Sequence, residues 1–175
     1  ATIVYDEPRS YPVGDTVWTP GNYDEKFLGP ITLRTALEKS KNLASADIIS
    51  RIGVEPVINM AQKLGLTSTL GRNLSLSLGS SEVNLLELAR AYGVLAAKGL
   101  RVETTLVTRI EDRRGQIFFD LGNEILKKAE QVLSEQSAFI MTNMMKGVIE
   151  HGTGVKVKAL ARPVAGKTGT SNDQM

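Results

Sequence analysis

The order of helical and extended segments is the feature that most constrains the fold of this chain. Segments with helical apolar spacing outnumber the β-prone segments, and the β-prone segments are adjacent in pairs. A doubly wound sheet needs strands and helices that alternate along the chain, so this order does not favour one. The sequence therefore predicts an α+β fold. Its 175 residues suit one compact domain.

The predicted helices between residues 32 and 65 are short and are separated by turn residues. Thr32 is a plausible cap for a first helix, and the break at Ser40-Lys41-Asn42 separates it from a second apolar run. Pro56 fits the first turn of a third helix, which Gly65 closes. The pattern indicates three helices in series.

Two longer helices are expected further along the chain. Asn84 followed by Glu87 is typical of a helix start, and Gly99 marks the end of that helix. Its predicted apolar face consists of Leu85, Leu88, Ala89, Tyr92, Leu95 and Ala96. The spacing also predicts a helix over Ser134–Glu150, in which the methionines are expected to pack in the core.

The extended segments are fewer. Residues 1–5 read as a strand, and the β-prone runs 105–110 and 116–119, with a charged turn between them, predict a β-hairpin. Residues 164–170 are expected to form a closing strand. The Pro- and Gly-rich stretch 8–30 predicts surface loops and turns.

Composition removes several classes of function. Cysteine is absent and His151 is the only histidine, which excludes thiolate catalysis and zinc sites built on several Cys or His ligands. A Ser-His-Asp hydrolase would have to use His151, which instead fits a polar helix end. The net charge of +2 comes without a clustered basic stripe, so no nucleic-acid partner is expected. No apolar run is long enough to suggest a membrane span.

Lys167-Thr168-Gly169-Thr170 is the first candidate motif, and two chemistries could use it. Residues 161–168 nearly match a P-loop, but a P-loop needs a helix directly after the hydroxyl residue, and the following residues are poor helix formers. In acyl transfer to serine, the lysine charge and the threonine hydroxyl bind an anionic acyl group, and glycine lets the substrate backbone approach. The motif is weak evidence alone.

Ser40-Lys41-Asn42 is the second candidate, and it lies at a predicted helix break. A serine hydroxyl can relay a proton to a leaving amine, and an asparagine amide can both donate to and accept from a substrate backbone. Ser and Asn are also the residues expected in a helix cap. The residues alone leave both interpretations open, and they favour the cap.

Four blocks of sequence, in this order, resemble class A penicillin-binding proteins in their transpeptidase domain, and the resemblance covers essentially the whole chain. They are Ala1-Thr2-Ile3-Val4-Tyr5-Asp6-Glu7-Pro8, the stretch from Leu78 to Tyr92, Gly152-Thr153-Gly154, and Arg162-Pro163-Val164-Ala165-Gly166-Lys167-Thr168-Gly169-Thr170. The resemblance implies a helical subdomain plus part of an antiparallel sheet, in a serine β-lactamase/transpeptidase-like fold that is incomplete here.

The resemblance also implies roles for the two motifs. Ser40 and Asn42 correspond to the family's second motif, and Lys167, Thr168 and Gly169 to its third, with Thr170 on the same substrate strand. The first motif, Ser-x-x-Lys, supplies the nucleophile, but no serine in this sequence has lysine three residues later. We therefore expect both ends to be cuts through a larger protein. We also expect this chain alone to be inactive.

For the parent protein, the resemblance implies serine-type cross-linking of peptidoglycan. The expected partners are D-Ala-D-Ala stem peptides and β-lactams, together with an upstream glycosyltransferase domain and a membrane anchor. The expected location is the extracytoplasmic face of the bacterial membrane, and no metal or organic cofactor is implied. The alternative from another class is a penicillin-binding sensor or scaffold module without enzymatic activity.

Overall fold

The structure is a computed structural model that describes residues 2–122 and 124–170. It combines helices with antiparallel pairs of strands, which confirms the predicted α+β class. The strands are β1 (Ile3–Asp6), β2 (Tyr11–Val13), β3 (Thr16–Trp18), β4 (Gly29–Thr32), β5 (Leu100–Arg101), β6 (Arg109–Glu111), β7 (Ile117–Asp120) and β8 (Glu130–Gln131). The helices are α1 (Leu33–Glu38), α2 (Asn42–Ile52), α3 (Val54–Lys63), α4 (Leu85–Ala96), α5 (Glu124–Lys127) and α6 (Glu135–Glu150).

Contacts between residues divide the chain into two compact units. The first is built from the chain up to Met60, from residues 69–82 and from Ile140 onward; the second from residues 61–68 and 83–139. Each unit is described by itself. The prediction of one domain for the whole chain stays a prediction.

The first unit is organised around the pairing of β1 with β4. The two strands are antiparallel, with Val4 opposite Ile31. Val4 is buried together with Ala36 of α1 and Ala44 of α2. Because alanine side chains are small, both helices approach the strand pair closely. This packing holds α1 and α2 against the strand pair, and the turn between the two helices contains Ser40.

The prediction of loop for residues 8–30 is wrong in part. β2 and β3 form a hairpin whose turn contains Gly14 at a φ of 57°, in the left-handed region that glycine tolerates. Tyr11 and Trp18 face each other across the hairpin with their ring centroids 5.7 Å apart. This aromatic pair and the favourable turn outweigh the high Pro and Gly content.

The second unit contains α4, which begins as predicted but is rotated differently. Asn84 caps it by accepting a hydrogen bond from the Glu87 N–H at 2.9 Å. The buried residues are Glu87, Ala91 and Val94, whereas Leu85 on the predicted apolar face is 82% exposed. The apolar face predicted from the sequence is therefore not the face of α4 that is buried. The physical reason lies in Glu87, whose carboxylate accepts hydrogen bonds from Thr67 and Ser68 and turns that side of the helix inward.

The predicted β-hairpin is confirmed, with a shorter first strand and a second strand displaced by one residue. Ile110 of β6 is opposite Phe119 of β7. The Asp112 carboxylate closes the turn by accepting from the Arg114 and Gln116 N–H groups, both at 2.8 Å. Residues 105–108 do not belong to the strand pair.

The chain from residue 151 to 170 is irregular after a 3-10 helix at Val155–Leu160. The prediction of a strand over 164–170 is wrong for this structure, because no strand among the described residues pairs with that segment. Instead, the Gly166 N–H donates to the carbonyl oxygen of Met145 in α6 at 3.4 Å. Within the described ranges, no helix has the length and apolar character needed to cross a membrane.

Candidate active site

The turn between α1 and α2 fixes the backbone of Ser40. The Ser40 N–H donates to Leu37 O at 3.2 Å and the Lys41 N–H to Ala36 O at 2.9 Å, which is the bond pattern of a Schellman helix end. Ser40 occupies its left-handed position with a φ of 54°, where glycine is usual. The left-handed region costs a non-glycine residue on the order of 1–2 kcal/mol. Ser40 is therefore strained at a position that glycine would occupy without this cost.

The side chains of this turn do not cap α2. The N-cap residue is Lys41, which makes no side-chain capping bond. Ser40 Oγ instead accepts a hydrogen bond from Lys167 Nζ at 2.7 Å, and Asn42 Nδ2 donates to Gly21 O at 2.9 Å. The interpretation of Ser40 and Asn42 as side-chain caps of α2 is therefore wrong, and Ser40 contributes only its backbone to the helix end of α1. The two candidate motifs, 127 residues apart in sequence, meet at one hydrogen bond.

Lys167 is half-buried in this arrangement. Its ammonium group also donates to Thr168 O at 2.8 Å, and burial lowers the pKa of Lys167. Among residues 2–122 and 124–170, no carboxylate lies within ion-pair distance of it. The positive charge is therefore available to an anionic ligand, and its proton is easier to release than that of a free lysine.

A polar cluster lies next to the Ser40 turn, with Lys41, Asp6 and Asn22 buried and Asp24 half-exposed. Lys41 is 3% exposed, and its Nζ donates to both oxygens of Asp24, at 2.9 and 2.8 Å. It lies 3.8 Å from Asp6, which is fully buried and also accepts from Asn22 Nδ2 at 2.6 Å. The hydrogen bond from Lys41 lowers the pKa of Asp24. The cluster holds the middle residue of the second motif inward.

Sequence reasoning missed this cluster. The predicted surface turn is confirmed for Asp24, which is exposed in a turn, but Asn22 in the same stretch is buried. Lys41 is the middle residue of the Ser40-Lys41-Asn42 motif, and the sequence predicts no contact for it. The available signal was the Asn22-Tyr23-Asp24 sequence. Polar residues of this kind are found in turns far more often than in a buried network, so local pattern could not identify it.

Gly152-Thr153-Gly154 lies between the two motifs. The Thr153 N–H donates to Glu38 O, the last residue of α1, at 3.1 Å, and the two hydroxyl oxygens of Thr153 and Thr168 are 2.5 Å apart. A Cβ at Gly152 would clash with the backbone oxygen of Glu38, so the close approach requires glycine there. This function of the block was not predicted.

The other predicted residues are placed less specifically. Gly169 and Thr170 are exposed beside Thr168 and make no hydrogen bond with the described residues. His151 is exposed at the end of α6, where its N–H donates to Gly147 O at 2.8 Å, as expected of a helix end. No group of three or more His, Asp or Glu side chains in the described part of the chain could hold a metal ion.

Comparison with known proteins decides the family. The sequence model for the penicillin binding protein transpeptidase domain matches residues 3–174. The chain belongs to this family. Relatives by sequence include penicillin-binding protein 1A of Neisseria meningitidis, 38% identical over 99% of this chain, and that of Rickettsia bellii, 35% identical over 89% of this chain. The chain spans 22% of the length of each of these proteins.

Solved structures show the same fold. The crystal structure of penicillin-binding protein 1A from Haemophilus influenzae matches 97% of this chain and 31% of its own, with a TM-score of 0.86 and 24% identity. PonA1 from Mycobacterium tuberculosis, in complex with penicillin V, matches 97% of this chain and 47% of its own, with a TM-score of 0.75 and 21% identity. The transpeptidase-like fold implied by the sequence is confirmed.

Membership of the transpeptidase family also decides against the P-loop alternative. The Lys167 ammonium donates to Ser40 and does not point into an open loop of the kind that binds phosphates. Thr168–Thr170 are not helical, whereas a P-loop continues into a helix. Residues 171–173, on which part of that argument depended, lie outside the described residues.

Proposed function

We propose that the protein containing this chain is a serine-type D,D-transpeptidase that cross-links peptidoglycan. The hydrogen bond between Lys167 and Ser40 carries the proposal, because it brings the two motifs of this chain into one site. The nucleophile would be the serine of a Ser-x-x-Lys motif outside residues 1–175. It would attack the D-Ala-D-Ala carbonyl of a stem peptide and form an acyl-enzyme, with D-alanine as the leaving group.

Each residue of the site has a role in this reaction. Lys167 and Ser40 would pass a proton to the leaving amine, because they already share a hydrogen bond and the pKa of Lys167 is lowered. Asn42 has given one amide hydrogen to Gly21 O, which leaves its second N–H and its oxygen for the substrate backbone. Thr168, Gly169 and Thr170 would hold the carboxylate end of the substrate.

The charge of the site supports an anionic ligand. Lys167 brings a cation without a carboxylate partner in the described residues, and Thr168 adds a hydroxyl. Stem peptides that end in D-Ala-D-Ala, and β-lactams, both carry the required carboxylate. We further propose that the parent protein has an upstream glycosyltransferase domain and a membrane anchor, and works on the extracytoplasmic side of the membrane.

The test uses the full-length protein and a fluorescent penicillin. Lys167→Ala and Ser40→Ala are expected to slow acylation by about 10²–10⁴-fold, the range for removal of a general acid or base. Lys128→Ala is the matched control, because Lys128 is exposed and belongs to the second unit. Acylation of Lys167→Ala at the wild-type rate would contradict the proposal.

A second assay separates the enzyme from the non-catalytic alternative. Incubation of the full-length protein with peptidoglycan strands should yield cross-linked products if it is a transpeptidase. A protein that binds penicillin but forms no cross-links would instead be a sensor or scaffold module.

A further inference from the structure

Thr153 contacts both sides of the site through different atoms. Its backbone N–H donates to Glu38 O at 3.1 Å, two residues before Ser40, and its hydroxyl lies 2.5 Å from that of Thr168. The residue on one side of it is Gly152, whose close approach to Glu38 tolerates no side chain. The backbone of Thr153 is therefore fixed against α1, while its hydroxyl reaches the Lys167-Thr168 segment.

When an anionic ligand is bound, the number of hydroxyl hydrogens decides which threonine donates in the Thr153–Thr168 hydrogen bond. Each threonine hydroxyl has one hydrogen to donate and two lone pairs that accept. A carboxylate accepts only, so Thr168 can bind one only if its own hydrogen is free to donate. In that state, the bond of 2.5 Å requires Thr153 to donate to Thr168. A hydroxyl that accepts a hydrogen bond becomes a better donor, because neighbouring hydrogen bonds polarise each other.

We propose that Thr153 is a positioning residue: it donates to the Thr168 hydroxyl, directs the Thr168 hydrogen toward the ligand carboxylate and ties that group to the end of α1. The inference rests on the proposed function, because it needs an anionic ligand at Thr168. Thr153 does not touch the ligand in this scheme. Its effect passes through the orientation of Thr168.

The test compares Thr153→Val and Thr153→Ser in the full-length protein. Valine keeps the shape and removes the hydroxyl, and we expect acylation by a fluorescent penicillin at low concentration to slow about tenfold, as for the loss of one hydrogen bond to a charged ligand. Serine restores a hydroxyl and should recover the wild-type rate. Thr105→Val is the matched control, because the Thr105 hydroxyl bonds only to the backbone of Val107, in the second unit.

A second readout distinguishes positioning from loss of structure. The same penicillin with its carboxylate esterified should acylate wild type and Thr153→Val at equal rates, because no carboxylate depends on Thr168. Thr153→Val combined with Thr168→Val should be no slower than Thr168→Val alone, since residues that act through one another are not additive.

The outcomes separate this inference from the proposed function. If wild type is acylated and Thr153→Val keeps the full rate, or loses the same factor with the ester, the positioning role is overturned and the transpeptidase proposal stands. If penicillin does not acylate the wild type, the proposed function fails and the inference fails with it.

Discussion

Ser40 combines backbone strain with a side chain that the site uses. Glycine would remove a strain on the order of 1–2 kcal/mol, but would gain backbone freedom in the unfolded chain of roughly 0.5–1 kcal/mol. The first effect is larger, so serine at this position makes the folded protein less stable than glycine would. Serine, unlike glycine, has a hydroxyl that accepts the hydrogen bond from Lys167.

We expect Ser40→Gly to raise the unfolding temperature of the full-length protein, with a gain in stability of up to about 1 kcal/mol, and to slow penicillin acylation by about 10²–10⁴-fold. Calorimetry and a labelling time course measure the two effects. Ser40→Ala keeps the strained backbone and lacks the hydroxyl, so it should slow acylation without the gain in stability. A Ser40→Gly protein that is labelled at the wild-type rate would contradict this.

The Lys41 ammonium contacts Asp24 and lies near Asp6, so we expect its removal to lower the stability of the folded protein. Lys41→Met would leave the fully buried Asp6 carboxylate without its cation, which is expected to destabilise the protein by about 3–5 kcal/mol. Lys39→Met is the control, because the neighbouring Lys39 is exposed. Urea unfolding of the two variants measures the difference, and equal midpoints would show that the polar cluster does not stabilise the turn.

Among the elements, α4 is held in place by Glu87, a residue of its first turn. Hydrogen bonds from Thr67 and then Ser68 lower the pKa of Glu87 from 4.5 to about 2. The carboxylate also faces inward, so its bonds link α4 to the chain that precedes it. The charged form is the one that these hydroxyls stabilise.

The pH dependence follows from the direction of this shift. A lowered pKa stabilises the folded protein fully above pH 4.5, and the contribution is lost as the pH falls from 4.5 toward 2. Glu87→Gln cannot ionise, so it should be less stable near neutral pH and show a smaller loss over that acid range. Thermal unfolding at several pH values tests this, with Glu124→Gln as an exposed control. Parallel pH curves for Glu87→Gln and wild type would oppose it.

Sequence predicted the elements better than their orientation. The cap at Thr32, the start of α4 at Asn84 and the helix over Ser134–Glu150 are local signals, and the structure confirms them. The rotation of α4 was not predictable, because Thr67 and Ser68 decide it through a buried glutamate. Apolar spacing describes one helix and contains no information on its polar partners.

The same limit applies to the site. Its two motifs were predicted from residue type and resemblance, and the structure brings Ser40 and Lys167 together; the catalytic roles of all the predicted residues remain predictions. Lys41 and Thr153 were not identified, because each acts through contacts far away in sequence. Such contacts depend on the completed fold.

At the scale of the whole molecule, the position of the nucleophile is open to direct test. The sequence has no serine followed three residues later by lysine, so we expect penicillin bound to the full-length protein to lie on a peptide outside residues 1–175. Proteolytic digestion and mass spectrometry of the labelled protein would locate it. A label on any serine of this chain, Ser40 included, would overturn the assignment.

The Lys167–Ser40 hydrogen bond also bears on how the protein reaches its native state. Its partners are separated by 127 residues, and contacts of such high sequence separation form late because a long loop must close first. If acylation needs this bond, penicillin marks only molecules in which both segments have met. A fluorescent β-lactam then serves as a timed reporter of refolding, with a signal that lags behind the recovery of helical circular dichroism.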